Sequence, residues 1–175
     1  MVEVKVLSPD DWQLWRELRL QALTEAPHAF GATLEYWQGD GDREHRWRSR
    51  LAIPGSRNLI AFIGGDPVGM ASGVPVSNGT EAVEVISLWV KPEARGRGVA
   101  DRLLDDIEQW AAGLNLNTMQ LSVKPSNDAA VRFYRRYGLR NTGEKADPVP
   151  DEAEQEIVMA KPISPTAVHY QLGPS

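Results

Sequence analysis

Residues 82–123 constrain the fold more than any other part of this 175-residue chain. Ala82 to Val90 is rich in Val and Ile and reads as a strand. Pro92 and a glycine-rich turn follow, and then Val99, Leu103, Leu104, Ile107, Trp110, Ala111 and Leu114 recur on one helical face. From Asn117 to Val123, Met119, Leu121 and Val123 alternate with polar residues, as a second strand would. Two strands joined through a helix in this way pair in parallel, normally by a right-handed crossover. The preceding segment dictates the opposite. Leu59 to Ile63 and Val68 to Val76 flank the turn Gly64-Gly65-Asp66-Pro67, and Ser77-Asn78-Gly79-Thr80 is a second turn. Three successive strands are therefore hairpin-linked and antiparallel. A mixed sheet satisfies both demands.

The flanks add elements to that sheet. Val2 to Leu7 alternates as a short strand. Ser8 or Asp10 caps a helix over 10–24, with Pro9 near its first turn and Trp12, Trp15, Leu18, Ala22 and Leu23 as its buried stripe. Pro27 ends it. Residues 25–57 are the least legible. Trp37, Trp47 and Leu51, with Arg43, Arg46, Arg48 and Arg50, indicate a second helix near 41–52, bracketed by Gly39, Gly41, Pro54 and Gly55. Ser126 is the expected N-cap of a helix over 127–137, and Gly138 follows its last turn. Strands are expected from Leu139 to about Lys145 and from Glu156 to Ala160. The order is β-α-α-β-β-β-α-β-α-β-β. It defines an α/β fold with a mixed sheet, a single domain over 1–161 and a C-terminal tail over 162–175.

Composition narrows the chemistry. There is no cysteine, so neither a disulfide framework nor a thiolate metal site exists. The three histidines are far apart, and none stands in H-E-x-x-H spacing. A zinc or haem enzyme is not expected on this composition, which leaves carboxylate sites for Mg or Ca open; the expected reaction uses no metal. No apolar run approaches ~18 residues, and the start lacks a secretory pattern, so a soluble cytoplasmic protein without a membrane partner is expected. The net charge is −5, yet residues 91–140 hold nine Lys/Arg against six Asp/Glu. A basic middle in an acidic chain points to a local anion site rather than a nucleic-acid surface.

The anion site has an address. In Leu88-Trp89-Val90-Lys91-Pro92-Glu93-Ala94-Arg95-Gly96-Arg97-Gly98-Val99-Ala100 a strand ends, a turn follows and a helix begins near Gly98. A helix start offers unpaired N–H groups and the positive end of its dipole. Glycines let the backbone approach a ligand, and Arg95 and Arg97 add charge, which together make a phosphate cradle. The string is not a P-loop, because no G-x-x-x-x-G-K-[ST] occurs. Nor is it a dinucleotide fingerprint, because the third glycine position of G-x-G-x-x-G holds Asp101. This argues against a nucleotide-dependent oxidoreductase.

Arg95-Gly96-Arg97-Gly98-Val99-Ala100 resembles the [QR]-x-x-G-x-[GA] signature of the GNAT superfamily of acetyl-CoA-dependent N-acetyltransferases. Asn127 to Leu139 resembles that superfamily's second motif, N-x-x-A-x-x-F-Y-x-x-x-G-[FL], through Asn127, Ala130, Phe133, Tyr134, Gly138 and Leu139. The resemblance covers about 2–161. It implies a mostly antiparallel sheet with helices on both faces and one parallel β-α-β unit, splayed where coenzyme A lies. It implies acetyl transfer from acetyl-CoA to a primary amine by direct attack, in a monomer or homodimer. A non-catalytic CoA-binding protein of the same fold is the alternative.

Residue roles follow from the resemblance. Backbone N–H groups of Gly96, Arg97, Gly98, Val99, Ala100 and Asp101 would hold the pyrophosphate, with Arg95 beside them. Pantetheine would run along Leu88, Trp89 and Val90, and Asn127, Ala130 and Phe133 would flank it. The Leu88 N–H would be the oxyanion donor, and Tyr134 would protonate the leaving thiolate. By helical spacing alone Tyr134 would be a core aromatic. Glu84 is the candidate base, with Glu81 or a water relay as alternatives. Strand parity puts Glu84 on one face with Ile86, Leu88 and Val90 unless a bulge intervenes. Phe30 and Tyr36, with Trp37, fall where acceptor-covering helices lie in the superfamily. The segment Glu144 to Glu156 carries six acids and one lysine; it reads as a solvated loop or as an attractor of cationic amines.

Overall fold

A computed structural model describes residues 1–27, 29 and 33–165. Among the described residues seven strands form one sheet in the order β1-β2-β3-β4-β5-β7-β6, accompanied by five α-helices. The strands are β1 (Val2–Val6), β2 (Arg57–Ile63), β3 (Asp66–Pro75), β4 (Ala82–Val90), β5 (Thr118–Val123), β6 (Arg140–Lys145) and β7 (Ile157–Pro162). The helices are α1 (Trp12–Glu25), α2 (Leu34–Trp37), α3 (Glu44–Leu51), α4 (Val99–Gly113) and α5 (Asp128–Tyr137). Every strand pair is antiparallel except β4–β5, which is parallel, as the crossover through α4 requires.

The alternation of strand residues divides the core between the two faces. Leu59, Ala61, Val68, Ala71, Val83 and Val85 lie under α4, which contributes Val99, Leu103, Leu104, Ile107 and Ala111. Ile60, Met70 and Trp89 point the other way, onto Trp15, Leu18 and Ala22 of α1 and Trp47 and Leu51 of α3. α4 seats closely because β3 carries glycine beneath it. A Cβ at Gly69 would stand 2.9 Å from Val99 Cγ1, and one at Gly73 2.9 Å from Ile107 Cγ2. A side chain at either position would have to displace those methyl groups or the helix that carries them.

Two features position the site. The first is the extent of the parallel pairing. β4 and β5 pair only from Ala82–Thr118 to Glu84–Gln120, although β4 continues to Val90 and β5 to Val123. The second is a bulge. Met70 pairs with Trp89 and Ser72 with Ile86, so β4 has one residue more than β3 across this interval. Ser87 takes it up at φ 57°, a left-handed conformation that costs a non-glycine residue free energy. Ser87 Oγ accepts a hydrogen bond from Arg50 Nη2 (3.1 Å), and the same nitrogen donates to Ser72 Oγ (3.1 Å). Arg50 Nη1 donates to Asn58 Oδ1 (3.1 Å), which also accepts from Ser72 Oγ (2.6 Å). The bulge thus rests on a side-chain network reaching from α3 through β2 and β3.

The bulge corrects the parity expected of an unbroken strand. Before it, Val83 and Val85 face α4, so Glu84 faces the α1–α3 side; after it, Val90 faces α4 and Trp89 the α1–α3 side. Glu84 and Val90 therefore lie on opposite faces. Two further expectations are corrected. Asn127, not Ser126, caps α5, its Oδ1 accepting from Ala130 N at 3.3 Å, while Ser126 binds the Glu154 carboxylate. The helix expected over 41–52 begins at Glu44, and the short α2 precedes it. The separation follows from Asp42, whose carboxylate binds Arg16 of α1 and accepts from Trp47 Nε1 (2.8 Å), holding the chain extended just before α3.

That clamp has a pH signature. The hydrogen bonds from Arg16, then Trp47, hold the Asp42 carboxyl at about 2, against an ordinary 3.8. A depressed carboxyl stabilises the fold above its unfolded value, and the contribution fades as pH falls through the folded value. Asp42→Asn should therefore lower the urea midpoint at neutral pH, with the gap to the parent protein closing as pH falls from 3.8 toward about 2. A gap that persists unchanged at the acid end would show that the carboxylate charge is not what joins α1 to α3.

Candidate active site

Two cavities meet at β4. The first, about 620 Å³, opens between the diverging ends of β4 and β5 and runs to the start of α4. The second, about 390 Å³, lies on the α1–α3 side. Ala29, Leu88, Ser122 and Tyr134 line both.

The first cavity gathers most of the residues singled out in the sequence. Leu88, Trp89 and Val90 form one wall, and Arg95, Gly96 and Gly98 form the turn. Val99, Ala100 and Asp101 open α4, and Asn127, Ala130, Phe133 and Tyr134 come from α5. Arg97 does not line it; its side chain is exposed and brings no charge into the cavity, while its backbone belongs to the same turn. Gly96 and Gly98 stand at φ 75° and 79°, where only glycine is unstrained, and a Cβ at either would meet nothing within 4 Å. Gly98 is the N-cap of α4, and no side chain caps it. The first-turn N–H groups of a fifteen-residue helix are thus left to a ligand. Arg95 is tied down, its Nε donating to the Val90 carbonyl (3.1 Å) and its Nη2 to Glu25 Oε2 (2.9 Å). Trp89 Nε1 donates to the same carboxylate oxygen (2.9 Å), and these bonds lower the Glu25 pKa. Glu25 fastens the end of α1 to the turn, a role without a sequence signal because it spans 70 residues.

The second cavity brings Glu84, the candidate base, together with groups that the sequence motifs did not indicate. Glu84 lies half-buried in its wall, and desolvation raises its pKa. Glu156 lies there too, raised by burial and by the Glu152 and Glu84 carboxylates. The Tyr134 hydroxyl is pushed up to about 12, by burial first and the Glu156 charge second. Glu81, the alternative base, lines neither cavity and accepts from Asn117 Nδ2 (2.9 Å) at the far end of the sheet. Trp37 stacks on Trp47 at 4.4 Å between ring centroids, and both face the cavity with Trp15. Tyr36 does not: it is 61% exposed, with the Arg46 guanidinium 4.2 Å over its ring, which corrects its expected place in an acceptor pocket. Phe30 lies outside the described residues. Arg19 and Arg50 complete the wall. Their signal was an arginine within the apolar stripe of each helix, Arg19 four residues after Trp15 and Arg50 three after Trp47.

Among the described residues no group of three or more His, Asp or Glu side chains could hold a metal ion, and no helix is long and apolar enough to cross a membrane. An open strand edge running to an uncapped helix start is a shape that accepts an extended ligand with a phosphate at one end.

Residues 12–139 match the Acetyltransferase (GNAT) family, and the chain belongs to that family. It is 33% identical over 108 residues to the L-amino acid N-acetyltransferase AaaT of Escherichia coli, a stretch covering 58% of this chain and 66% of that protein. It is 35% identical over 95 residues to the N-alpha-acetyltransferase RimI of Mycobacterium tuberculosis, covering 53% and 58%. The match spans less than two thirds of the length of each of these relatives. The structure of YncA from Salmonella typhimurium with acetyl-CoA shares the fold, at a TM-score of 0.72 and 18% identity, over 100% of this chain and 98% of that one.

Proposed function

We propose that this protein moves an acetyl group from acetyl-CoA to a primary amine by direct attack of the amine on the thioester. The observation that carries the reading is the position of Tyr134, whose side chain lines both cavities where they meet. One cavity suits an extended phosphate-bearing donor. The other suits an acceptor, which must reach the same point. Family membership and the acetyl-CoA complex of a protein sharing the fold support the choice of donor.

In this reading the turn Gly96–Gly98 and the uncapped start of α4 hold the pyrophosphate through backbone N–H groups. The β4 edge left unpaired beyond Glu84 hydrogen-bonds the pantetheine arm as an added strand would. The amine nitrogen forms its bond to the acetyl carbon as the carbon–sulfur bond breaks. The Leu88 N–H stabilises the negative charge on the carbonyl oxygen. Glu84 accepts the proton that the amine loses, directly or through one water. Tyr134, kept protonated by its raised pKa, gives its proton to the departing sulfur. The chain has no cysteine to carry an acetyl group, so no thioester on the protein intervenes.

Three outcomes test this. Gly98→Val forces a branched residue to φ 79°, a penalty of about 1–2 kcal/mol that should raise the acetyl-CoA Kd about tenfold. Arg97→Ala, which removes one exposed charge, should leave it nearly unchanged. Calorimetry reads both, and unaltered binding by Gly98→Val would move the pyrophosphate elsewhere. Tyr134→Phe should lower kcat ~10²–10⁴-fold with little change in CoA affinity; an unchanged kcat under conditions where chemistry limits would return Tyr134 to the core. Glu84→Gln keeps the shape of the side chain but accepts no proton. Its kcat/KM should fall most near neutral pH, and the deficit should shrink as rising pH supplies free amine. Identical pH–rate profiles for Glu84→Gln and the parent protein would eliminate Glu84 as the base.

A further inference from the structure

A primary amine acceptor can be a free amino acid, the N-terminus of a peptide or protein, or a polyamine. The second cavity separates them on chemical grounds. Arg19 of α1, only 7% exposed, and Arg50 of α3 both line it. Burial lowers each guanidinium to about 10, and for Arg19 the charge of Arg50 adds to the effect. Both remain cationic at neutral pH, so two like charges share a desolvated wall. The groups that accept from Arg50 are Asn58, Ser72 and Ser87, all neutral, and among the described residues no carboxylate lies within ion-pair distance of it. Trp15 and Trp37 line the same cavity, and their buried indole Nε1 donors have no acceptor among the described residues. A buried cation whose accepting groups are all neutral, and indole donors without an acceptor, in one cavity call for an anionic acceptor group. The same cavity holds Glu84 and Glu156, which suit a cation.

The two kinds of charge meet near the reacting end. Arg50 Nη2 stands 3.1 Å from Ser87 Oγ, and Ser87 precedes Leu88, which lines both cavities. We infer that the acceptor is a free α-amino acid, its carboxylate taken by Arg50 and Arg19 and its amine turned toward Glu84 and Tyr134. This rests on the acetyl-transfer reading above and names its substrate class. A peptide N-terminus brings an amide where Arg50 would meet a carboxylate, and a diamine brings a second cation to two arginines.

The test pairs each of the common L-amino acids with its own carboxamide, together with an N-terminal tripeptide and a diamine. Each is offered with acetyl-CoA and read by thiol release and product mass. At least one free amino acid should exceed its carboxamide by about 10²-fold or more in kcat/KM, because a site built for a polar group rejects the analogue lacking it. Arg19→Met should collapse that ratio, chiefly through KM for the free acid, and Arg19→Lys should restore part of it. Carboxamides, the tripeptide or the diamine accepted as well as the free acids would overturn the inference and leave acetyl transfer standing. Binding of acetyl-CoA by calorimetry with no amino acid acetylated would also overturn it. Absence of acetyl-CoA binding would instead remove the reading on which it rests. If Arg19→Met does not fold, the panel on the parent protein still decides.

Discussion

Between Ile86 and Trp89 strand β4 must fit one residue more than β3 offers, and Ser87 absorbs it at φ 57°. A non-glycine residue in that region costs on the order of 1–3 kcal/mol and persists only where its surroundings hold it. The hold comes from Arg50, whose guanidinium binds Ser87, Ser72 and Asn58 and sits 5.0 Å over the ring of Trp15. Without the extra residue, Glu84 and Val90 would share a face. With it, Glu84 looks to the α1–α3 side, Val90 to α4, and Leu88 falls where the two cavities join.

The rest of the site follows from what β4 does next. Its pairing to β5 ends at Glu84, while α5 brings Tyr134 and Asn127 across the opening that follows. α4 stands at the mouth of the opening because Gly69 and Gly73 of β3 let it lie against the sheet. The first cavity thereby combines an open strand edge with an uncapped helix start. The second, on the other face, collects buried and half-buried groups of both signs. Each charge there is partly withdrawn from water, so each would interact more strongly with a ligand than it would at the surface.

The glycine-rich turn, the helix after it and the α5 motif were legible because their function depends on local conformation. Gly96 and Gly98 are required by positive φ, and Tyr134 lies a fixed distance along one helix from Asn127. These short-range features also carried the family resemblance. The charge of Arg97 is different: a motif places its backbone in the turn but not its side chain, which is exposed. Tyr36 was misplaced for a related reason: its neighbour Trp37 turns inward onto Trp47, and a one-residue step along a helix turns Tyr36 away. Arg19 and Arg50 left a sign, a charge in an apolar stripe, but nothing near them in the chain said what they would meet.

The sequence by itself determined the mixed sheet, the strand–turn–helix that frames the first cavity and the identity of the residue at the head of each motif. Periodicity and turn chemistry are set within a few residues, so they can be read without knowing what packs where. Only the tertiary structure decided that Glu84 and Val90 face opposite ways, because the bulge between them depends on an arginine 37 positions before Ser87 in the chain. It alone decided that two arginines, three tryptophans and two glutamates surround one space. Those groups come from separate helices, strands and loops, and a cavity between elements exists only once they have packed.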